Sequence, residues 1–168
     1  VLRHLNELRQ EEHLWKAVPV ACHRAPPASE DTLAAKLLSA RMAVLLAADE
    51  LLRDRLGNFI LGGLFCVPKD ALRDRLIFDR RPENATMRSL NWAKLPSGAC
   101  FLRLLLEDDE VLRGSGDDLS NFYYQLALPE DYLKFNEFGR RVSDDVVRRF
   151  GGDVTRSHRL CFRVLGMG

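Results

Sequence analysis

The stretch Asp118-Leu-Ser-Asn-Phe-Tyr-Tyr-Gln-Leu126 concentrates the residues best suited to chemistry: an acid pair, Asp117-Asp118, then three consecutive aromatics. An aspartate placed after a short apolar strand and before a tight turn projects its carboxylate into a cleft. Hard cations such as Mg²⁺ take oxygen ligands, commonly one or two protein carboxylates together with substrate phosphates. Asp118, helped by the backbone carbonyl of Leu119, would supply such ligands. The same residues also suit a helix N-cap or a solvated turn after Gly114-Ser115-Gly116.

The charge distribution adds a possible counterpart. Net charge is only +1, but residues 69–103 carry eight basic side chains (Lys69, Arg73, Arg75, Arg80, Arg81, Arg88, Lys94 and Arg103) against four acidic ones. Residues 104–168 carry nine basic against twelve acidic. A basic wall for phosphate facing an acidic wall for metal would look like this, and so would ordinary variation over a solvated surface. The cysteines, Cys22, Cys66, Cys100 and Cys161, are scattered without a C-x-x-C pair. That excludes a zinc ribbon or a secreted disulfide framework and leaves a reducing, intracellular compartment as the expectation. Cys22-His23 are neighbours in sequence, which is no sign of a catalytic pair. No apolar run approaches the roughly 20 residues of a membrane span.

The elements that must position these groups follow from periodicity. Leu2, Leu5, Leu8, Leu14 and Trp15 recur at helical spacing and predict an amphipathic helix over residues 1–17. Pro19, Pro26 and Pro27 mark a linker. Ser29 as N-cap, with Glu30 and Asp31 behind it, opens a long helix whose Ala-, Leu- and Met-rich run extends from Leu33 through Leu56 and stops at Gly57. The apolar run 59–67 and Arg75-Leu-Ile-Phe78 flank a Lys-Asp turn and predict a β-hairpin. Residues 99–106 fit helix or strand. Phe122, Tyr123, Leu126 and Leu128 form an aromatic-rich patch closed by Pro129. Ser143 caps a short helix that Gly151 ends, and Arg159–Leu165 reads as a strand. The chain is long enough, at 168 residues, for one sizeable core, and the pattern is α+β. Val1 in place of a Met start and Gly168 without a polar tail read as cut ends, so the expectation is a fragment.

Two of these segments acquire meaning together with Asp118. Gly63-Leu-Phe-Cys-Val-Pro-Lys-Asp70, followed by Arg75-Leu-Ile-Phe-Asp-Arg-Arg-Pro-Glu-Asn84, resembles the fingers hairpin of reverse transcriptases, whose second strand ends Asp-x-Arg-x-x-Asn; here these are Asp79, Arg81 and Asn84. Asp118-Leu-x-x-x-Tyr123-x-Gln125-Leu126 is similar to that family's first palm motif. Arg159–Gly168 looks like the strand entering the second palm motif, which opens with a glycine. The three occur in the family's order across residues 59–168, and the pattern is closest to retrotransposon-type enzymes.

The resemblance implies an incomplete right-hand polymerase fold: a helical N-terminal segment, residues 1–57, then partial fingers and palm, residues 58–168. It implies RNA-directed DNA polymerase activity on a nucleic acid template-primer with deoxynucleoside triphosphates and Mg²⁺, by two-metal phosphoryl transfer. Asp118 would bind the catalytic metals, with Leu119 assisting. Arg75 would reach the triphosphate as a guanidinium fork, and Lys69 as a point charge. Tyr123 would be the steric gate against a ribose 2′-hydroxyl, or else a core aromatic beside Phe122 and Tyr124. Asp79 and Arg81 would form a structural ion pair holding the hairpin. The family's aromatic-x-Asp-Asp does not occur among these residues, since Asp108-Asp109 precedes Asp118 and Asp144-Asp145 begins a helix. Residues 1–168 alone are therefore expected not to extend a primer. Two other readings stand beside this one. The first is a degenerate retroelement-derived domain that binds or scaffolds without catalysis, and the codons after Gly168 would discriminate. The second is a helical interaction protein built on residues 1–57.

Overall fold

The computed structural model describes residues 7–15, 17–89, 99, 104–117, 119 and 122–166. The chain divides into two compact units: Val1–Arg88 with Asn121–Gly168, and Ser89–Ser120. The first holds every named helix and strand. It is a mixed α+β unit with few, short helices and antiparallel sheets.

Helix α1 (Glu30–Ser39) starts with Ser29 at the N-cap position and Glu30 and Asp31 in its first turn, where acidic groups oppose the helix dipole. It buries Ala34 and Leu37. The helix expected to run to Leu56 stops at Ser39 instead. Arg41 takes φ 56°, the Met42 amide donates to the Leu37 carbonyl (3.0 Å), and the Arg41 amide donates to Leu38 (3.0 Å). This is a Schellman stop with arginine where glycine is usual. Strand β1 (Ala43–Ala47) follows at once. Its apolar residues suit helix and buried strand alike, and pairing with a distant strand outweighs helix propensity. Gly57, expected as the helix stop, is the φ 82° residue of a tight turn whose amide donates to the Asp54 carbonyl.

The expected helix over residues 1–17 is likewise corrected. Among its described residues no α-helix forms: residues 7–8 and Glu12–Leu14 are 3₁₀ backbone, while Arg9 bridges to Met87 in antiparallel fashion. The segment is stretched so that the Arg9 guanidinium lies 3.4 Å from the Phe135 ring centroid and 3.6 Å from the Glu83 carboxylate. Tertiary contact again decides.

Strands β2 (Gly63–Pro68) and β3 (Asp74–Asp79) form the expected hairpin, in register from Gly63↔Asp79 to Pro68↔Asp74. Arg81–Asn84 make one helical turn, α2. Strand β4 (Glu137–Phe138), helix α3 (Asp144–Arg149) and strand β5 (His158–Phe162) complete the unit. Ser143 caps α3 as expected, its Oγ accepting from the Val146 amide (3.4 Å), and Gly151 at φ 76° ends it. The central strand is β5, antiparallel to β1 on one side and β4 on the other. A parallel bridge Gly62↔Phe138 joins the hairpin to this sheet.

The core lies where these sheets and α1 and α3 meet. Phe78, Phe138 and Phe162 pack with ring centroids 4.5–5.6 Å apart, among Leu64, Leu160, Val146 and Val147. Aromatic clusters of this kind add about 0.5–1.5 kcal/mol per pair beyond area burial. Phe78 is also clasped by backbone. A Cβ on Gly62 would sit 2.4 Å from its Cε2, and one on Gly166 would sit 2.6 Å from its Cδ1. The hairpin's second strand is thereby locked at its base into the sheet.

In the second unit, the described residues form no helix or strand of their own across 104–117. Residues 99–106, expected as helix or strand, are described only at 99 and 104–106, and Leu104–Leu106 adopt neither. Glu107 and Glu110 close a turn, and Leu105 and Val111 are exposed.

Candidate nucleotide-binding hairpin

Burial along the hairpin falls from base to tip. Leu64 and Phe78 are in the core, whereas Cys66, Pro68, Lys69 and Arg75 are exposed. The turn at the tip is held locally: the Lys69 amide donates to the Arg73 carbonyl (2.9 Å), and Asp70 accepts from the Leu72 amide (3.1 Å) and Arg73 Nε (2.8 Å). The Arg73 contact, then the Leu72 amide, holds the Asp70 carboxyl below its usual range, and Lys69 helps. Asp70 is thus claimed by Arg73, and among the described residues no carboxylate lies within ion-pair distance of Lys69 or Arg75. Arg75 on β3 and Lys69 in the turn before it are thus cations that could meet phosphate oxygens.

The turn Phe122–Gln125 is fixed against this strand. Tyr124 donates its hydroxyl proton to the Leu76 carbonyl (2.7 Å) and packs against the core. Burial raises the Tyr124 hydroxyl pKa, while the charge of nearby Arg75 pulls it down. Tyr123 is 43 % exposed, its ring edge-on to Phe122 at 5.8 Å, so it is not a core aromatic. The fold therefore brings Arg75 and the 122–125 turn together, with Lys69 at the tip. Asp118, the expected metal ligand, lies outside the described residues. Asp117 and Leu119 are exposed and belong to the other unit.

At the hairpin base, the charges serve structure. Asp79 accepts from the Cys22 amide (2.7 Å) and from Arg81 Nε (2.9 Å) and the guanidinium NH₂ (2.7 Å). The Arg81 bonds lead in pulling its pKa down to about 2, aided by the Cys22 amide. This is the ion pair expected from the sequence. The Pro-rich stretch before α1, expected as a linker, in fact lies along β2: Arg24 N–H donates to Leu64 O (2.8 Å), and a Cβ on Gly63 would lie 2.2 Å from the Cys22 carbonyl oxygen.

Several buried groups carried no recognisable spacing in the sequence. Glu83 receives Arg80 and the Tyr132 hydroxyl, with Arg9 nearby. Burial, followed by the Glu83 charge, pushes the Tyr132 hydroxyl well up. The run Asp79-x-Arg81-x-Glu83 at the end of an apolar strand was the one available hint. His23 accepts the Leu64 amide proton on Nδ1 (3.1 Å), so its Nε2–H donates to Glu30 (2.5 Å). With the lone pair used, His23 is a structural tie and no general base. Glu137 is 1 % exposed, and neither carboxylate oxygen has a hydrogen-bond partner. Burial raises its pKa to about 8, with Arg159, Arg53 and the Ile60 amide pulling the other way.

A Mg²⁺ centre takes several oxygen ligands. Among the described residues no group of three or more His, Cys, Asp or Glu side chains is placed to hold a metal ion, and Asp118 is not one of those residues. The cysteines Cys22, Cys66 and Cys161 are free. No helix among the described residues is long and apolar enough to cross a membrane. No known family model matches this sequence, and no curated protein matches it either.

Proposed function

We propose that this chain is part of a reverse-transcriptase-like, RNA-directed DNA polymerase of retrotransposon type, with residues 58–168 supplying fingers and the beginning of a palm. One observation carries the reading. The hairpin strand bearing Arg75 is tied to the 122–125 turn through Tyr124 and Leu76, residues separated by 48 positions in sequence. The two segments that the resemblance assigns to opposite sides of a nucleotide are thus neighbours in space. Arg75 would grip triphosphate oxygens with its planar fork, and Lys69 would add a mobile point charge. Tyr123, half exposed beside the anchored Tyr124, has the freedom to stand against the sugar as a steric gate. Asp118, with the Leu119 carbonyl, is what this chain would contribute to the Mg²⁺ centre of the intact enzyme, whose partners are template-primer and deoxynucleoside triphosphates.

The test is primer extension by the longest natural chain that carries these residues. Asp118→Asn abolishes incorporation and Asp117→Asn leaves most of it; equal damage from both would remove the register on which Asp118 was chosen. Tyr123→Ala admits ribonucleotides, and unchanged sugar selectivity would end its role as gate. Residues 1–168 alone extend no primer.

A further inference from the structure

Residues 22–24 lie along β2 as a strap, and one of their side chains takes a place that backbone fills in an ordinary strand pair. Arg24 donates its amide to the Leu64 carbonyl (2.8 Å), as one strand does to the next. The Leu64 amide, however, donates to the ring of His23 at Nδ1 (3.1 Å). The Cys22 amide adds a third tie, to Asp79 (2.7 Å). Glycine admits this close approach, for a Cβ on Gly63 would lie 2.2 Å from the Cys22 carbonyl oxygen.

A backbone N–H can only donate, so Nδ1 keeps its lone pair and the ring proton sits on Nε2, where it is given to Glu30 (2.5 Å). The ring is confined on its other sides as well. Glu30, in the first turn of α1, also receives Arg140 (2.5 Å), and a Cβ on Gly139 would lie 3.5 Å from His23 Cε1. The charged groups around the imidazole pull in different directions. Glu30 favours a cationic ring, while Arg140 offsets that carboxylate, and Arg159 adds positive charge from β5, bonded to the Gly139 carbonyl (2.6 Å). Asp79 of β3 is engaged by Arg81 and by the Cys22 amide, and Arg24 lies on the strap itself. The Leu64 amide decides the matter. A second ring proton, which can go only to Nδ1, would point N–H at N–H. It would also leave the amide of Leu64, a residue 1 % exposed, without the acceptor it now has.

We propose that His23 is a proton-operated latch: gain of a second proton on its ring detaches the strap from the edge of β2. The latch bears on a cleft of about 500 Å³ beside Phe59, because Val18, Pro19, Val20, Ala21 and His23 form part of its wall. It uses neither Arg75 nor Lys69 and does not depend on the polymerase reading.

The experiment follows backbone amide exchange in the full chain by NMR between about pH 7 and pH 5, the range in which an ordinary histidine gains its second proton. Each rate is divided by that of an unstructured amide at the same pH. Protection of the Leu64 and Arg24 amides falls about tenfold over this range, as linkage to a single proton allows. Protection of the Phe162 amide, bonded to the Asn136 carbonyl (3.0 Å) in the sheet, does not fall. Imidazole ¹⁵N spectra show the Nε2–H tautomer of His23 at the upper end of the range. His23→Asn sets a carbonyl oxygen near the position of Nδ1 and cannot titrate, so its Leu64 protection stays level. The other histidines and Glu137 remain in that variant, and any pH effect of theirs persists in it. Leu64 protection that stays level in the natural chain, that falls equally in His23→Asn, or that falls only together with Phe162 overturns the proposal. So does a ring proton found on Nδ1 at neutral pH. Should His23→Asn fail to fold, the comparison of Leu64 with Phe162 in the natural chain decides alone.

Discussion

Asp79 and Arg75 stand on the same strand, yet their surroundings differ in almost every respect. Asp79, at the base, is buried and receives the Cys22 amide and a two-pronged Arg81, while Arg75, near the tip, is exposed with no ion-pair partner among the described residues. Charges at the base are consumed by the fold, and charges at the tip are left over from it. A strand locked at one end by Phe78 between Gly62 and Gly166 can hold a free guanidinium at the other without help from neighbours. The contrast teaches where to look for function: at the cations the fold has not used.

The strongest way to break the contrast is to unlock the base. Phe78→Ala removes the ring at the centre of the aromatic cluster and is expected to cost about 3–5 kcal/mol in denaturant unfolding. A loss under ~1 kcal/mol would mean the base is not the anchor. Glu137→Gln sharpens the comparison in the opposite sense. Because the folded pKa is raised from 4.5 to about 8, the protonated acid's contribution is fully present below 4.5 and is lost as pH rises through 8. The natural chain should therefore lose a few kcal/mol, on the order of the linkage for that shift, while the Gln variant stays nearly flat. Parallel pH profiles for both would show that Glu137 is not held neutral. Asp79→Asn acts on a depressed group. Its contribution is present above pH 3.8 and lost as pH falls through about 2. At neutral pH the substitution should cost about 1–2 kcal/mol, since the exposed side of Arg81 is screened by solvent.

Legibility in the sequence followed the same division. The β2–β3 hairpin could be read because two apolar runs flank a polar turn, and α3 because Ser143 and Gly151 carry their own capping chemistry. Residues 43–47 could not, since Ala-Val-Leu-Leu-Ala has no period to separate a strand from a helix. The stop before it is made by Arg41 at a position where only glycine would have announced it. Arg9 was invisible for a related reason: nothing in its neighbours says that a guanidinium will be pressed against Phe135 and Glu83 from the far end of the chain. Of the candidate site, Arg75, Lys69 and Tyr123 were named from the resemblance to reverse transcriptases, and all three are exposed. Tyr124, which ties the turn to the strand, was missed because three adjacent aromatics give no hint of which one is anchored.

The smallest effect on stability and the largest on function should coincide in Arg75→Ala, and this variant tests the account most directly. Measured in the longest natural chain, its unfolding free energy should stay within about 0.5 kcal/mol of the original. Its KM for deoxynucleoside triphosphate should rise roughly ten- to a hundredfold, as expected for losing a charge-assisted contact of about 1.5–3 kcal/mol. A destabilised protein with an unchanged KM would contradict it, for the tip would then belong to the fold and not to a ligand.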